Sequence, residues 1–417
     1  MRRILFYEDK TASQFEPLAL LRPIFELLCG HYSSRERILS QFSKSEWAVV
    51  IRPILAEAYQ AEFPAARVNQ PDWLEEGQTL VVNGRCLLEA AQLKKIKPGM
   101  AGWIGETWAA FVLDPEDRPR QSGQLTDEQI SQALQQKKKQ SVSGTVLNYP
   151  WDLISQNRKW LSLDFAARAK PSTYTTSDSR IALIGPSDQV HIDATARIDP
   201  FVVIDATSGP VWIDRDVRIQ AFTRIEGPAY IGPGTQLFRA NVREGCTFGP
   251  TCRVGGEIEE SILHGFANKY HDGFLGHSYV CPWVNLGALT TNSDLKNDYS
   301  NVSVPLQGTK IDTGLNKIGT FIGDHTKTAL CSLFNTGSSI GVMSLILPGG
   351  ELLPKFVPSF SRVWHGRLEA LPDGCESGIA TAKIAMPRRG QPMTAEMERL
   401  LRAVYEGTET QRQQVLS

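Results

Sequence analysis

The chain has 417 residues, with 44 lysines and arginines against 45 aspartates and glutamates and a net charge of −1. That balance provides no basic surface for a polyanion, so no nucleic-acid partner is expected. No uninterrupted apolar stretch approaches a membrane span, so no membrane partner is expected either.

Seven cysteines, at 29, 86, 246, 252, 281, 331 and 375, are spread without a CxxC pair. Reduced thiols in a cytoplasmic protein are the expectation. The opening "MRRILFYEDK" has only a strand-length apolar run and does not read as a signal peptide. The length suits about two to three domains.

Through about residue 165 the texture is α/β. "RILFYED", "AVVIR" and "TLVVNGR" are short runs rich in β-branched or aromatic residues, as buried strands require. "WIGETWAAFVLD" predicts a further strand or strand pair. "LLEAAQLKKI" and "TDEQISQALQQKKK" have helical patterns, the second opened by a capping box of Thr126 and Gln129. The Lys137–Lys139 run reads as its solvated end.

Beyond "YPWDLISQNRKWLSLDF" and a polar linker, "AKPSTYTTSDS", helical periodicity ends. From Ile181 onward, apolar β-branched residues recur at every sixth position: Ile192, Ile198, Ile204, then Ile213, Ile219, Ile225, Ile231 and Leu237. A shifted phase runs through Val242, Phe248 and Val254, and Ile318, Ile322, Ile340 and Ile346 resume the texture less regularly. A period of six fits neither an amphipathic helix nor a plain strand. It fits short strands joined by tight corners, three to a triangular coil, with coils stacked about 4.8 Å apart over an aliphatic column.

The segment from His264 to Asp312 breaks this period and carries "NKYHDGFLGHSYVCPWVNLGA". His264, His271 and His277 cluster there beside Lys269, Tyr270 and Asp272. The terminal "MTAEMERLLRAVYEGTETQRQQVLS" predicts an amphipathic helix with Met397, Leu400, Leu401 and Val404 on its apolar face and a frayed polar tail. "PSFSRVWHGRLEALPDG" is expected to close the prism.

The repeats followed by that segment resemble the acetyltransferase half of GlmU-type bifunctional enzymes. These pair a sugar-1-phosphate nucleotidyltransferase domain with a left-handed β-helix acetyltransferase. The family motif runs approximately K-A-G-H-x-x-Y-x-G-D and then V-N-x-G-A. Lys269, His271, Phe274, Gly276, Val284, Asn285, Gly287 and Ala288 fall in register with it without a gap.

The resemblance implies His271 as general base, an imidazole suiting proton removal from an attacking amine. It implies Asn285 orienting the amine or the intermediate, and Ala288 beside the acetyl-CoA channel. Arg243, in "NVREG", corresponds to an arginine that contacts the sugar phosphate. Lys269, Phe274 and Lys296 complete the implied substrate set. Glu259 and Glu260 stand where the family has a lysine pair, and phenylalanine replaces its tyrosine at 274.

Upstream, "FYEDKTASQFEPLALLRPIFELLCG" is similar to a divergent, shorter branch of the family and lacks the Gly-rich phosphate loop. Arg22 or Arg35 would supply phosphate contacts, a surface or capping role being the plainer alternative. "LVVNGRCLL" replaces a G-D-x-P-L segment, so Asn83 and Arg85 face the implied substrate. Arg85 takes the place of a Mg²⁺-binding aspartate, which leaves Asp9, next to Glu8, as the carboxylate at hand.

The expected fold class is thus a nucleotidyltransferase-like α/β domain with a Rossmann-like sheet, then a left-handed parallel β-helix, then a C-terminal helix. The expected boundaries are 1–170, 180–365 and 366–417. The expected function is acetyl-CoA-dependent N-acetylation of a glucosamine-1-phosphate-like sugar by a homotrimer, with Mg²⁺ and a nucleotide for the N-terminal domain.

Two alternatives accompany this reading. One is a non-catalytic scaffold or sugar-nucleotide-binding protein. The other is a zinc hydratase of the γ-carbonic-anhydrase kind, using His264, His271, His277 and His325.

Overall fold

The computed structural model describes residues 3–117, 125–168 and 178–416. Most of the expected linker, residues 169–177, lies outside them.

Seven strands form the N-terminal sheet in the order Lys138–Ser141, Met100–Ile104, Thr107–Leu113, Thr79–Asn83, Arg3–Tyr7, Glu46–Val50 and Arg67–Val68. The last four are parallel, with Tyr7 opposite Val50 on one side and Asn83 on the other. Their apolar runs are buried on both faces, as a parallel sheet demands. "WIGETWAAFVLD" becomes an antiparallel hairpin that extends the sheet. The strand order reverses between Arg3–Tyr7 and Thr79–Asn83, which makes the crevice above their carboxyl ends the topological switch point.

The capping box forms as expected, with the Thr126 hydroxyl accepting from the Gln129 N–H. The lysine run does not end that helix. Lys138 and Lys139 lie in the edge strand Lys138–Ser141, and Lys137 is buried with its ammonium 3.5 Å from Asp114. Lysines along an edge strand discourage pairing with another chain, which explains the two charges of Lys138 and Lys139 there.

The hexads build a left-handed parallel β-helix. On its first face nine parallel strands stack, from Val190–Ile192 to Phe356–Val357. Ile213, Ile231, Phe248, Leu263, Val280, Ile322 and Ile340 form an inward column there. Ile219, Leu237 and Val254 line the second face, and Ile204, Ile225, Val242 and Ile258 the third.

The expected long interruption is shorter than the texture suggested. Asn268–Lys269, Phe274–Gly276, Tyr279–Val280 and Thr291–Asn292 are all strands of regular coils. The polar and aromatic residues that hid the period occupy outward positions and corners. Only residues 293–317 leave the prism, as an excursion holding the hairpin Ser303–Leu306 and Thr309–Asp312.

The first face of the prism carries the N-terminal domain. Its outward residues Trp212, Tyr230, Ile262, Tyr279 and Phe321 are buried. The Tyr279 hydroxyl accepts from the Leu28 N–H at 2.8 Å, and His31 stacks on Tyr230 at 4.5 Å. Asn157, on the helix Pro150–Arg168, donates to the Gly245 carbonyl at 2.8 Å. The extruded hairpin closes over this seam, with Val302, Val304 and Leu306 in one core with Phe15, Leu18 and Trp151.

The C-terminal segment returns to the same seam. Helices Glu376–Ala385, Ala395–Gly407 and Glu409–Leu416 follow the closing hairpin Ser361–Trp364 and Arg367–Ala370. Leu400, Leu401 and Val404 join Leu55, Ala58 and Tyr59 of the N-terminal domain and Val342 and Phe360 of the prism. The tail does not fray over its described length. Arg412 is buried, its guanidinium 4.1 Å from the Tyr405 ring and its Nη1 2.7 Å from the Thr408 hydroxyl.

Candidate functional site

The corner between the second and third faces collects the motif residues. His271 lies between Asn268–Lys269 and Phe274–Gly276, and Ala288 occupies the same corner one coil on. The two corners stack directly, the Leu289 N–H donating to the Asp272 carbonyl at 3.0 Å. Asn285 pairs with Asn268 across the second face. The His271 ring is exposed, rests edge-on against Tyr270 at 4.7 Å, and makes no side-chain hydrogen bond among the described residues. An imidazole held at a corner with free ring nitrogens can accept a proton from an incoming group.

Lys269 is brought to this corner but turned away from it. It occupies the inward position that Val254 holds one coil earlier, is 1% exposed, and donates to the carbonyls of Gly255 and His271. It therefore fastens the backbone that presents His271, whereas the motif had placed it against substrate.

Burial lowers the Lys269 ammonium to about 8, with nearby Asp272 acting in the opposite sense. A lysine depressed on folding is protonated more in the unfolded chain, so its contribution to stability becomes more favourable as pH rises from about 8 towards its ordinary value near 10.4. Replacement by methionine is expected to remove this contribution. The stability of Lys269→Met relative to wild type should then be highest below pH 8 and fall above it, as read by urea unfolding across that range.

Phe274 is half-buried, and its N–H donates to the Thr291 hydroxyl at 3.2 Å, again between stacked coils. Gly287 explains itself sterically. A Cβ there would lie 2.5 Å from the Ala329 carbonyl oxygen of the next coil.

The remaining prism candidates lie elsewhere. Arg243 follows the third face, at the next corner, and pairs with Glu259 at 3.2 Å and Glu257 at 3.6 Å. Lys296 begins the excursion and folds back on its own loop, donating to the Ser300 hydroxyl and the Asn301 carbonyl. The two glutamates that replaced the family lysines have structural partners. Glu259 also meets Lys317 at 3.5 Å, and Glu260 meets Arg158 of the long N-terminal helix at 3.0 Å.

In the N-terminal domain the switch-point crevice is closed by an ion pair. Arg85 donates through Nε to Asp9 at 2.8 Å and through Nη1 to Asn148 at 2.7 Å, and Asn83 is 3.5 Å from the same carboxylate. Glu8 is engaged by Arg52 at 2.9 Å and by the Ile24 N–H at 3.1 Å. A guanidinium thus stands where a second carboxylate would be needed, and these residues do not fit Mg²⁺.

Arg22 and Arg35 are equally committed. Arg22 forms a bidentate pair with Asp324 of the prism, and Arg35 pairs with Glu26. Both guanidinium pKa values are raised, because the carboxylate partner outweighs burial.

These residues border a cavity of about 330 Å³ between the N-terminal segment, the prism and the C-terminal helices. Its prism wall is an aromatic ladder: Phe266 on Trp283 at 4.5 Å, and Trp283 on His325 at 6.1 Å.

The four histidines weighed as zinc ligands do not converge. His264 contacts the Glu26 carbonyl at 2.9 Å, His277 donates to Asp294 at 2.8 Å, and His325 is on the ladder. Burial drives His264 down to about 3, and lowers His325 well below its ordinary value. Among the described residues no three His, Cys, Asp or Glu side chains form a metal-binding group.

Two further residues escaped the sequence reading. Asn268 donates through Nδ2 to the Asn285 Oδ1 at 3.0 Å, and Arg389 donates to the Asn268 Oδ1 at 3.0 Å. The separation of 17 residues between the asparagines was a usable signal, being one coil of the repeat. Nothing local could have brought Arg389 to them, since it lies 121 residues away.

A family model described as "Sugar nucleotidyl transferase" matches residues 4–173. A bifunctional sugar-1-phosphate nucleotidylyltransferase/acetyltransferase of Sulfurisphaera tokodaii is 33% identical over 155 residues, covering 34% of this chain and 36% of that protein. The bifunctional protein GlmU of Acaryochloris marina is 25% identical over 251 residues, covering 58% of this chain and 47% of its own length. An uncharacterized acetyltransferase, YaiX, of Escherichia coli O6:K15:H31 is 29% identical over 165 residues, 39% of this chain and 66% of that one. The chain thus spans less than half the length of the first two relatives. With a match to the sugar nucleotidyl transferase model followed by a left-handed β-helix, the chain resembles GlmU-like bifunctional proteins over both of its halves.

Proposed function

We propose that the protein transfers an acetyl group from acetyl-CoA to the amine of a sugar phosphate at the corner bearing His271. The observation that carries this reading is the stacking of the His271 corner on the Ala288 corner of the next coil, with half-buried Asn285 on the adjoining second face. His271 takes the proton that the amine loses as it attacks the thioester carbonyl. Asn285 and the adjacent backbone hold the reacting groups, and Ala288 leaves room beside the channel.

The same edge carries exposed Phe201, Phe222, Leu289 and Leu330, with Phe201 stacked on Phe222 at 5.8 Å. Apolar side chains along the edge that bears the base support a homotrimer in which neighbouring prisms complete each site. Sedimentation should give three times the chain mass, and a monomer at micromolar concentration would contradict this assembly.

For the N-terminal domain the guanidinium of Arg85 at the switch point suits recognition of a sugar nucleotide without Mg²⁺. The test is free-thiol release from acetyl-CoA with glucosamine-1-phosphate. Release that requires both compounds is the expected result. Binding of acetyl-CoA without release would overturn the acceptor, and no binding would favour the non-catalytic scaffold.

A further inference from the structure

Asn285 can meet its substrate in two ways, through an amide oxygen that accepts or through an amide nitrogen that donates. The hydrogen-bond chain behind it removes that freedom. A guanidinium has five N–H donors and no acceptor. Arg389 therefore requires Asn268 to present Oδ1, at 3.0 Å. Asn268 then directs Nδ2 towards Asn285, which must present its own Oδ1, also at 3.0 Å.

The polarity set by one arginine passes through two amides, and the Asn285 Nδ2 is left pointing away from both. The backbone of Asn285 takes no part in this choice. Its N–H is used by Thr326, and its carbonyl by Thr328, in the coil ladder.

We infer that Arg389 is a positioning residue that locks Asn285 as a donor, so the group it contacts is an acceptor oxygen of the substrates and not the ammonium of the amino sugar. This rests on the reading of the corner as an acetyl-transfer site. It decides between the two roles open to Asn285, the amine or the intermediate, in favour of the oxygen that gains charge when the thioester carbonyl is attacked.

The electrostatics agree with that choice. Burial, and after it the nearby charges of Arg253 and Arg388, disfavour the charge of Arg389, and none of the three has an ion-pair partner among the described residues. Three guanidiniums without a carboxylate around the Asn268 end of the relay favour developing negative charge over a cation at its Asn285 end.

The test compares Arg389→Lys with Arg389→Glu in the full-length protein. Lysine is also a donor only and preserves the polarity. Glutamate accepts from Asn268 Nδ2, turns Asn268 Oδ1 towards Asn285, and makes Asn285 offer its oxygen. Expected is kcat within about threefold of wild type for Arg389→Lys. For Arg389→Glu it falls roughly 10²-fold, as for loss of one oxyanion donor, with KM for acetyl-CoA little changed. A merely structural arginine would give parallel losses in both variants, accompanied by parallel drops in thermal stability, and that pattern would overturn the inference.

His271→Ala, run alongside, separates the two levels of the argument. If it leaves transfer unchanged, the acetyl-transfer reading fails. Neutron diffraction from perdeuterated crystals still decides the relay in that case. Deuterons on Asn285 Nδ2 directed away from Asn268 support it, and deuterons directed at Asn268 refute it.

Discussion

Replacing His271 by alanine is expected to slow acetyl transfer by about 10²–10⁴-fold, or roughly 3–5 kcal/mol of transition-state stabilisation. The fold should be untouched, because the ring is exposed and its one ring contact among the described residues is the edge of Tyr270. The corner itself is held by other groups. The His271 carbonyl is fastened by the buried ammonium of Lys269, and the next residue's carbonyl by the Leu289 N–H. Wild-type and variant unfolding curves should coincide while thiol release collapses. A loss below tenfold with an intact fold would place the base elsewhere.

The second large effect belongs to the seam between the prism and the N-terminal domain. Asp324→Ala should destabilise the protein by about 3–5 kcal/mol, the usual result of removing one partner of a buried ion pair. Asp324 is 1% exposed, and both its oxygens are taken by Arg22. Without it a largely buried guanidinium stays beside Cys281 and the Leu18 carbonyl and loses the carboxylate that pairs with it.

The size of that penalty reflects the charge left behind, so replacing both residues together tests the explanation. Arg22→Met with Asp324→Leu should recover most of the loss, since a well-packed apolar pair often matches a buried ionic one. Denaturant titration of the two variants distinguishes an unpaired charge from simple loss of packing. A double variant as unstable as the single one would point to packing.

The prism was legible because its period is local and its inward positions tolerate little besides aliphatic residues. Ile213, Ile219, Ile225 and Ile231 are all at most 1% exposed. Lys269 was misjudged for the complementary reason. It occupies an inward position as an ion, which a pattern of apolar residues cannot announce, and only the carbonyls at the corner show how it is tolerated. Arg22, Arg35 and Arg85 were legible as cations but not as partners. Asp324, Glu26 and Asp9 reach them through folding, one of these pairs joining neighbouring segments and two joining distant ones. Trp212, Tyr230, Tyr279 and Phe321 carried a signal that went unread. Aromatic residues at outward positions of a β-helix announce a covered face.

The shared core of Leu55, Tyr59, Phe360, Leu401 and Val404 has a consequence for how this protein could have been assembled in evolution and how it can be taken apart at the bench. Two catalytic halves on a flexible tether could be swapped, duplicated or expressed singly. Here a scission near residue 175 would leave each fragment with an aromatic or aliphatic wall exposed. The fragments would be expected to aggregate, or to recover solubility only when co-expressed. With this core shared across the N-terminal domain, the prism and the C-terminal helices, the halves are expected to fold as one unit.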